Sequence, residues 1–368
     1  MVFGRCFQEG DTVKMRILDR YIGLTVASHT LVVMSVFIAL FSFASFVGEI
    51  DYIGKGKYGA LQAVYYVALT LPSLIYQLFP PVALIGSMVG LGMLSSGSEL
   101  TAIRAAGVSM GRIILSVMKV GVLLMVAALI VGEWLAPQAE YYGQTMRSTA
   151  LAERISLKTQ SGFWVRDGHN FIHVREILAD SQLVDISIYE FAEQNRLQKV
   201  THARTASYQQ NKWQLQDIEY SQINTAGIIT QRQPSAEWGS LLSPAVLGVV
   251  AVKPDKLSLT GLRKYIGYLH DNNLNADRYE LAFWKKIMLP LGTGVMVFLA
   301  IPFIFGTLRS VGIGQRIMVG TLLGIAFYLF NQTFGYVGLV YGMNPVASAM
   351  LPPALFLGLG LFLMRRVH

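Results

Sequence analysis

Only one cysteine, Cys6, occurs in the chain, so no intramolecular disulfide can form and any water-facing part must hold itself by packing. Charge is scarce: Asp, Glu, Lys and Arg make up 14% of the residues, where soluble domains carry about a quarter. Catalytic signatures are missing as well. No Gly-x-x-x-x-Gly-Lys-Ser/Thr sequence occurs, and the two Gly-Lys pairs, Gly54-Lys55 and Gly56-Lys57, lead into Gly56 and Tyr58 rather than the Ser or Thr that a P-loop places on magnesium. There is no His-Glu-x-x-His, no Gly-x-Ser-x-Gly and no paired Cys or His at metal-ligand spacing. His169 and His173 lie in strand-like sequence, where a four-residue spacing is about 13 Å, too far for one metal ion to reach both. These absences exclude an ATPase of the P-loop type and leave no group placed to activate a nucleophile.

What is abundant is apolar sequence: 53% of residues are hydrophobic and the mean hydropathy is +0.46. A membrane-spanning helix needs about 20 such residues, and six segments qualify. Tyr21–Val47 is uncharged and too long for the core of a signal peptide, and no small-residue cleavage site comes after it. Ile113–Gly132 carries only Lys119, which can snorkel to the headgroups. Ile287–Phe305, Ile317–Tyr341 and Val346–Met364 are uncharged. Gly59 to Ser98 is also uncharged and can be read as two short helices meeting at Pro80-Pro81. Its first part is amphipathic (Gln62, Tyr65, Tyr66, Ser73, Gln77), which favours an interfacial approach into one long span.

With six spans, four groups of flanking basic residues fall on one side: Arg5, Lys14, Arg16 and Arg20, then Arg104 and Arg112, then Arg309 and Arg316, then Arg365 and Arg366. The positive-inside rule makes that side cytoplasmic and predicts both termini there. The net charge of +8 is distributed in this way rather than gathered in a patch for nucleic acid. The segment from Pro137 to Lys286 then lies on the far side. From Lys158 the sequence turns to short alternating runs. Gly162–Val174 reads as two strands joined at Asp167-Gly168, and Val184–Phe191, Ala203–Gln210, Lys212–Ile223 and Gly227–Gln233 come after it. Such a series predicts a β-sandwich, jelly roll or barrel-like domain whose apolar faces cover each other or hold acyl chains. Leu257–Asn273 returns to helical spacing, with Ser258 as N-cap.

The spans hold almost no ionisable residue, which argues against a proton-coupled transporter. The loop Ser95–Arg112 is more informative. Ser98 is placed to cap a short helix with Leu100, Ile103 and Ala106 on one face and Gly107 ending it. A short amphipathic helix between cytoplasmic span ends is either an interfacial helix or a coupling helix that docks into a separate ATPase.

Six stretches, "LDRYIG" (Leu18–Gly23), "SELTAIRAAG" (Ser98–Gly107), "GEWLAPQAE" (Gly132–Glu140), "GFWVRDGHNFIHV" (Gly162–Val174), "FIFGTLRSVGIGQR" (Phe303–Arg316) and "LVYGMNP" (Leu339–Pro345), together resemble the lipopolysaccharide export permease (LptF/LptG) family, on its LptG side. The resemblance begins at about Met15, which marks Met15 as a candidate start. It implies an α-helical polytopic membrane protein with spans one to three over 15–136 and a coupling helix at 98–107. A periplasmic segment over 137–286, containing a β-jellyroll at 158–252, and spans four to six over 287–368 complete it. It further implies a bacterial inner-membrane location, a heterodimer with the sister permease LptF, two copies of the ATPase LptB carrying ATP and magnesium, and the single-span partner LptC. No cofactor is expected on this chain. Lipopolysaccharide would enter a V-shaped cavity between the permeases laterally from the outer leaflet and leave towards a periplasmic bridge.

Residue by residue, Glu99 matches the family's coupling-helix glutamate, with Arg104 and Gly107 in the same element. Arg147 matches a basic position near the cavity rim, where a guanidinium can pair with phosphate bidentately. Phe327, Tyr328, Phe330 and Asn331 would face the cavity or lateral gate; core packing is the competing reading for them, as a solvated surface is for Arg147. The sequence departs from the family near the end of span one, where Glu49 and Asp51 replace basic residues and no lysine appears before Lys55 and Lys57. Gln144 stands where a second arginine is expected. A lipid-modifying enzyme and a lipid-binding scaffold remain the alternatives from the residues alone.

Overall fold

The computed structural model describes residues 3–151, 163–167, 170–177, 182–192, 196–209, 212–224, 227–239, 254–272, 274–306 and 311–367. Its helices are α1 (Phe3–Glu49), α2 (Ala60–Ser96), α3 (Glu99–Ala105), α4 (Met110–Ile130), α5 (Ala136–Leu151), α6 (Leu259–Asp271), α7 (Asp277–Phe305), α8 (Ile313–Val340) and α9 (Pro345–Val367). Among the described residues, six helical stretches are long and apolar enough to cross a membrane: Ile17–Tyr52, Ala60–Ser96, Met110–Leu151, Asp277–Phe305, Ile313–Val340 and Pro345–Arg366. The chain divides into two units, one of 1–45, 70–139 and 280–368, the other of 46–69 and 140–279.

In the helical unit, α2 runs unbroken through Pro72, Pro80 and Pro81, so the long uncharged segment is a single span. Ile22, Val26, Leu84, Met88, Ile113, Val117, Val297 and Ile301 form its core. Lipid tails are as apolar as leucine, so between such helices the attraction comes from close packing and hydrogen bonds. One close approach is at Gly86 and Gly90 of α2, which lie against the backbone of Thr30 and Val26 of α1. The helix of the third span does not stop at Gly132 but continues through Pro137. Residues Val131–Leu135 form a π-helical turn joining α4 to α5, and the wider turn accommodates a proline that has no N–H for the i−4 carbonyl.

In the second unit, strands β1 (Phe163–Asp167), β2 (Asn170–Ile177), β3 (Leu183–Phe191), β4 (Leu197–Gln209), β5 (Lys212–Asn224) and β6 (Gly227–Trp238) form one antiparallel sheet in sequence order. The inserted sheet domain is thus present as expected, in its described residues as a meander; 158–162, 240–252 and the turn residues Gly168 and His169 lie outside them, as does Arg309. The fourth and sixth strands are longer than their alternating runs. Periodicity breaks because residues 175, 185, 204, 217 and 234 fall outside the pairing register on five neighbouring strands. Asp185 and Asp217 there take left-handed φ values of 57° and 51°, a conformation aspartate tolerates better than most residues. The step changes the facing parity, so Leu183 and Ile186 are both buried, as are Leu215 and Ile218. Pro234 sits on an edge strand, the place in a sheet where a missing N–H is tolerated.

Among the described residues, Ile172, Ile188, Ala203 and Trp213 pack with Tyr265, Tyr268 and Leu269 of α6, so part of the apolar face is covered by a helix. Ser258 caps α6 as expected, its Oγ accepting the Gly261 N–H at 3.0 Å.

Candidate functional site

The loop between α2 and α4 folds into the expected short helix, α3. Its start differs from expectation. Ser98 adopts φ 58° and its side chain makes no capping bond. The Glu99 carboxylate instead accepts the Tyr21 hydroxyl of α1 at 2.8 Å. Leu100 is 3% exposed and packs in the helical core, with Ile103 partly buried beside it, while Arg104 is exposed. Ala106 is exposed too, so it does not share the buried face. Gly107 ends the helix at φ 87°; its N–H bonds to the Arg104 carbonyl and that of Val108 to the Ile103 carbonyl, the paired bonds of a Schellman cap. The element is therefore pinned on one side and stopped by glycine, leaving Arg104 and part of Glu99 at its outer surface.

Two charged side chains of the helical unit are tied to partners on other helices. Lys119 donates to Asp19 at 2.7 Å, and Asp19 also takes Ser116 at 2.7 Å and Arg112 at 3.5 Å, tying α1 to α4. Arg316 is 1% exposed, with a guanidinium nitrogen on the Gly92 carbonyl and on Ser96 Oγ at 2.9 Å.

The substrate candidates of the second unit gather at the end of α1. Arg147 Nε donates to Glu49 Oε2 at 2.8 Å, and its guanidinium lies 4.4 Å from the Tyr52 ring centre and 5.3 Å from that of Tyr66. The same Glu49 oxygen accepts the buried Tyr58 hydroxyl at 3.0 Å. Arg147 is thus not the solvated surface arginine of the alternative reading: a carboxylate and two aromatic faces hold it. A phosphate taking the Nε side of Arg147 would displace Glu49, forgoing a charge-assisted hydrogen bond worth about 1.5–3 kcal/mol. Gln144, in place of an arginine, donates to Tyr66 Oη and Glu140, each at 3.2 Å. Lys55 lies 5.0 Å from the Tyr52 ring centre, and Lys57 is exposed with its backbone N–H on the Ala150 carbonyl. Beside this cluster, Leu61, Val64, Tyr65, Ala68 and Met146 line an open, almost wholly apolar groove of about 410 Å³. Charge and apolar surface side by side are what an amphipathic anion needs.

Burial, with Glu49 next to it, pushes the Tyr58 hydroxyl up to about 12. The neutral phenol is thus favoured in the fold, and the stability it contributes is complete below the unfolded value near 10 and lost as pH rises through about 12. Thermal melting measured from pH 9.5 to 12 should fall more steeply for the native chain than for Tyr58→Phe. Parallel curves would show that the buried phenol has no part in alkaline unfolding.

The four α8 candidates do not share a face. At 100° per residue, Tyr328 and Phe330 point about 160° apart. Phe327 is 4% exposed and packs edge-on against Phe356 at 5.2 Å, so for it the core reading holds: helical phase turns it inward. Tyr328 and Phe330 are 50% and 45% exposed, Phe330 stacks on Phe334 at 5.9 Å, and Asn331 is half-buried.

The profile of the family described as lipopolysaccharide export system permease LptF/LptG matches residues 20–366, nearly the whole chain. The chain belongs to the LptF/LptG family. Among the relatives of this family member, the lipopolysaccharide export system permease protein LptG of Escherichia coli K12 is 39% identical over 353 residues, covering 95% of this chain and 98% of the relative. The protein of the same description from Haemophilus influenzae is 39% identical over 351 residues with the same coverage. Within this LptF/LptG-family chain, Tyr21, Asp19 and the Gly86/Gly90 contact are features that residue-by-residue reading of the sequence passed over. The last had a visible signal, a Gly-x-x-x-Gly spacing inside an apolar span.

Proposed function

We propose that the chain is the LptG-type permease subunit of an ATP-driven exporter that takes lipopolysaccharide from the outer leaflet of the inner membrane and passes it to a periplasmic bridge. The observation that carries the reading is α3: a core-pinned, glycine-stopped helix between two membrane helices, with Glu99 and Arg104 at its outer surface, in a chain matched over 95% of its length by permeases of this description. In this reading the chain carries no ATPase motif of its own. Two copies of LptB bind ATP and magnesium, Glu99, Arg104 and Gly107 form the contact with one of them, and LptF and LptC complete the assembly. Both termini are cytoplasmic and the sheet domain is periplasmic. Lipid phosphates meet Arg147 after displacing Glu49, with Lys55 and Lys57 alongside, and acyl chains use the apolar groove. Tyr328, Phe330 and Asn331 contribute to the wall of the path.

The test is co-expression with the sister permease and ATPase, then reconstitution in proteoliposomes with labelled lipopolysaccharide. The expected result is a stable complex that releases lipid to a periplasmic acceptor only with ATP. A chain that is stable and releases lipid alone, without the ATPase, or a complex that hydrolyses ATP without ever releasing lipid, would sink the reading.

A further inference from the structure

Arg316 stands in the first turn of α8, where a cation opposes that helix's own dipole, yet it is among the largest fully buried side chains of the chain. Its charge is directed elsewhere. The guanidinium reaches the last turns of α2, taking the Gly92 carbonyl and Ser96 Oγ, and Ser96 Oγ also donates to the Gly92 carbonyl at 2.9 Å. There a cation complements the negative end of a dipole and finds acceptors for its N–H groups. The fit is steric as well as electrostatic. A Cβ at Gly92 would stand 2.6 Å from the Arg316 nitrogen and 2.8 Å from its Cδ, so the site is shaped around this side chain.

The connection from Ser96 to α3 is short. Gly97 N–H bonds to the Met93 carbonyl, Ser98 N–H to that of Ser95, and Ala102 N–H to that of Ser98. Ser98 is held in a left-handed conformation, costly for a residue with a side chain, which persists because these bonds on either side impose it. α3 is thus attached to the end of α2 by a tight, hydrogen-bonded corner, and Arg316 grips α2 within one turn of that corner. A local rule broken in one helix and compensated in another marks a position kept for something other than local stability.

We propose that Arg316 is a positioning residue for coupling: it ties α8, the helix of Tyr328 and Phe330, to the root of the coupling helix, so that displacement of α3 by the ATPase moves α8. This rests on the permease reading above. A helix cap of purely structural value would instead lower melting temperature and assembly when removed, and leave the yield of lipid per ATP unchanged.

The experiment measures complex assembly, ATP hydrolysis and release of labelled lipopolysaccharide in proteoliposomes for the native assembly and for Arg316→Met, Arg316→Lys and Gly92→Ala. Arg316→Met is expected to assemble and hydrolyse ATP within about twofold of the native complex but to release about tenfold less lipid per ATP, a factor usual for coupling between sites. Arg316→Lys, keeping charge and one donor, should recover part of the yield. Gly92→Ala, which keeps the arginine but displaces it, should reproduce the loss and serves as the independent variant should Arg316→Met fail to assemble. Native lipid yield per ATP in both Arg316→Met and Gly92→Ala, or in Gly92→Ala alone where Arg316→Met does not assemble, overturns the proposal. So does a fall in hydrolysis, assembly and release in equal proportion. A native complex that releases no lipid overturns the permease reading itself, and the proposal with it.

Discussion

Gly86→Val is expected to prevent recovery of folded protein. The Cβ of any larger residue at this position would collide with Thr30 Cα and lie 2.5 Å from Thr30 Oγ1, against backbone rather than a movable side-chain tip. Its partner one turn on, Gly90, would meet Val26 Cα at 3.0 Å, so the two glycines form a continuous shallow track for α1. In lipid such contacts replace the hydrophobic effect as the source of helix association. Overpacking a well-filled core costs about 1–3 kcal/mol and more where backbone must move, a large share of the roughly 5–15 kcal/mol that separates most folds from unfolding. Yield of monodisperse protein in detergent, with its melting temperature, measures the effect. Gly90→Ala should cost less than Gly86→Val, because its Cβ stands 3.0 Å from the nearest backbone atom and needs a smaller shift. A valine variant that melts with the native chain would show that α1 and α2 are not held together here.

Glu99→Lys should leave the fold standing and stop export. Its structural losses are small: the Tyr21 hydroxyl loses an acceptor, and a lysine replaces an acid in the first turn of α3, where the dipole effect is about 0.3–1 kcal/mol. Against this, if Glu99 forms the proposed contact with the ATPase, reversing its charge puts like charges together or strands the partner's cation, about 2–5 kcal/mol. Lipid release should therefore fall by at least about 30-fold, with melting temperature nearly unchanged. Tyr21→Phe separates the two roles of the carboxylate, since it frees Glu99 without altering its charge and should retain far more export than the lysine variant. Native export by Glu99→Lys would remove Glu99 from the coupling surface.

The spans were legible in the sequence because lipid demands long uncharged runs, and alternation located all six strands. The continuation of the third span past Gly132 was not legible, because a proline ordinarily interrupts a helix and nothing local signals the π-helical turn that admits Pro137. Strand phase failed at Asp185 and Asp217 for a similar reason: left-handed residues on neighbouring strands are set by the sheet, not by either strand alone. At the candidate site, the basic residue types were readable but their partners were not. Glu49 and Arg147 are far apart in sequence, and their pairing depends on bringing the end of α1 to α5. Arg316 was counted among flanking charges because position relative to a span does not tell a headgroup contact from a grip on another helix.

The interruption at residues 175, 185, 204, 217 and 234 gives the sheet a fold line, like a score pressed across card. On either side of it the strands are short levers joined by residues that lend nothing to the ladder. A change of curvature about that line therefore breaks no strand-to-strand register, and solvent should reach the amides along it before those of the flanking halves. Where a sheet must yield to something bulky passing over it, this is the direction in which it can do so without coming apart.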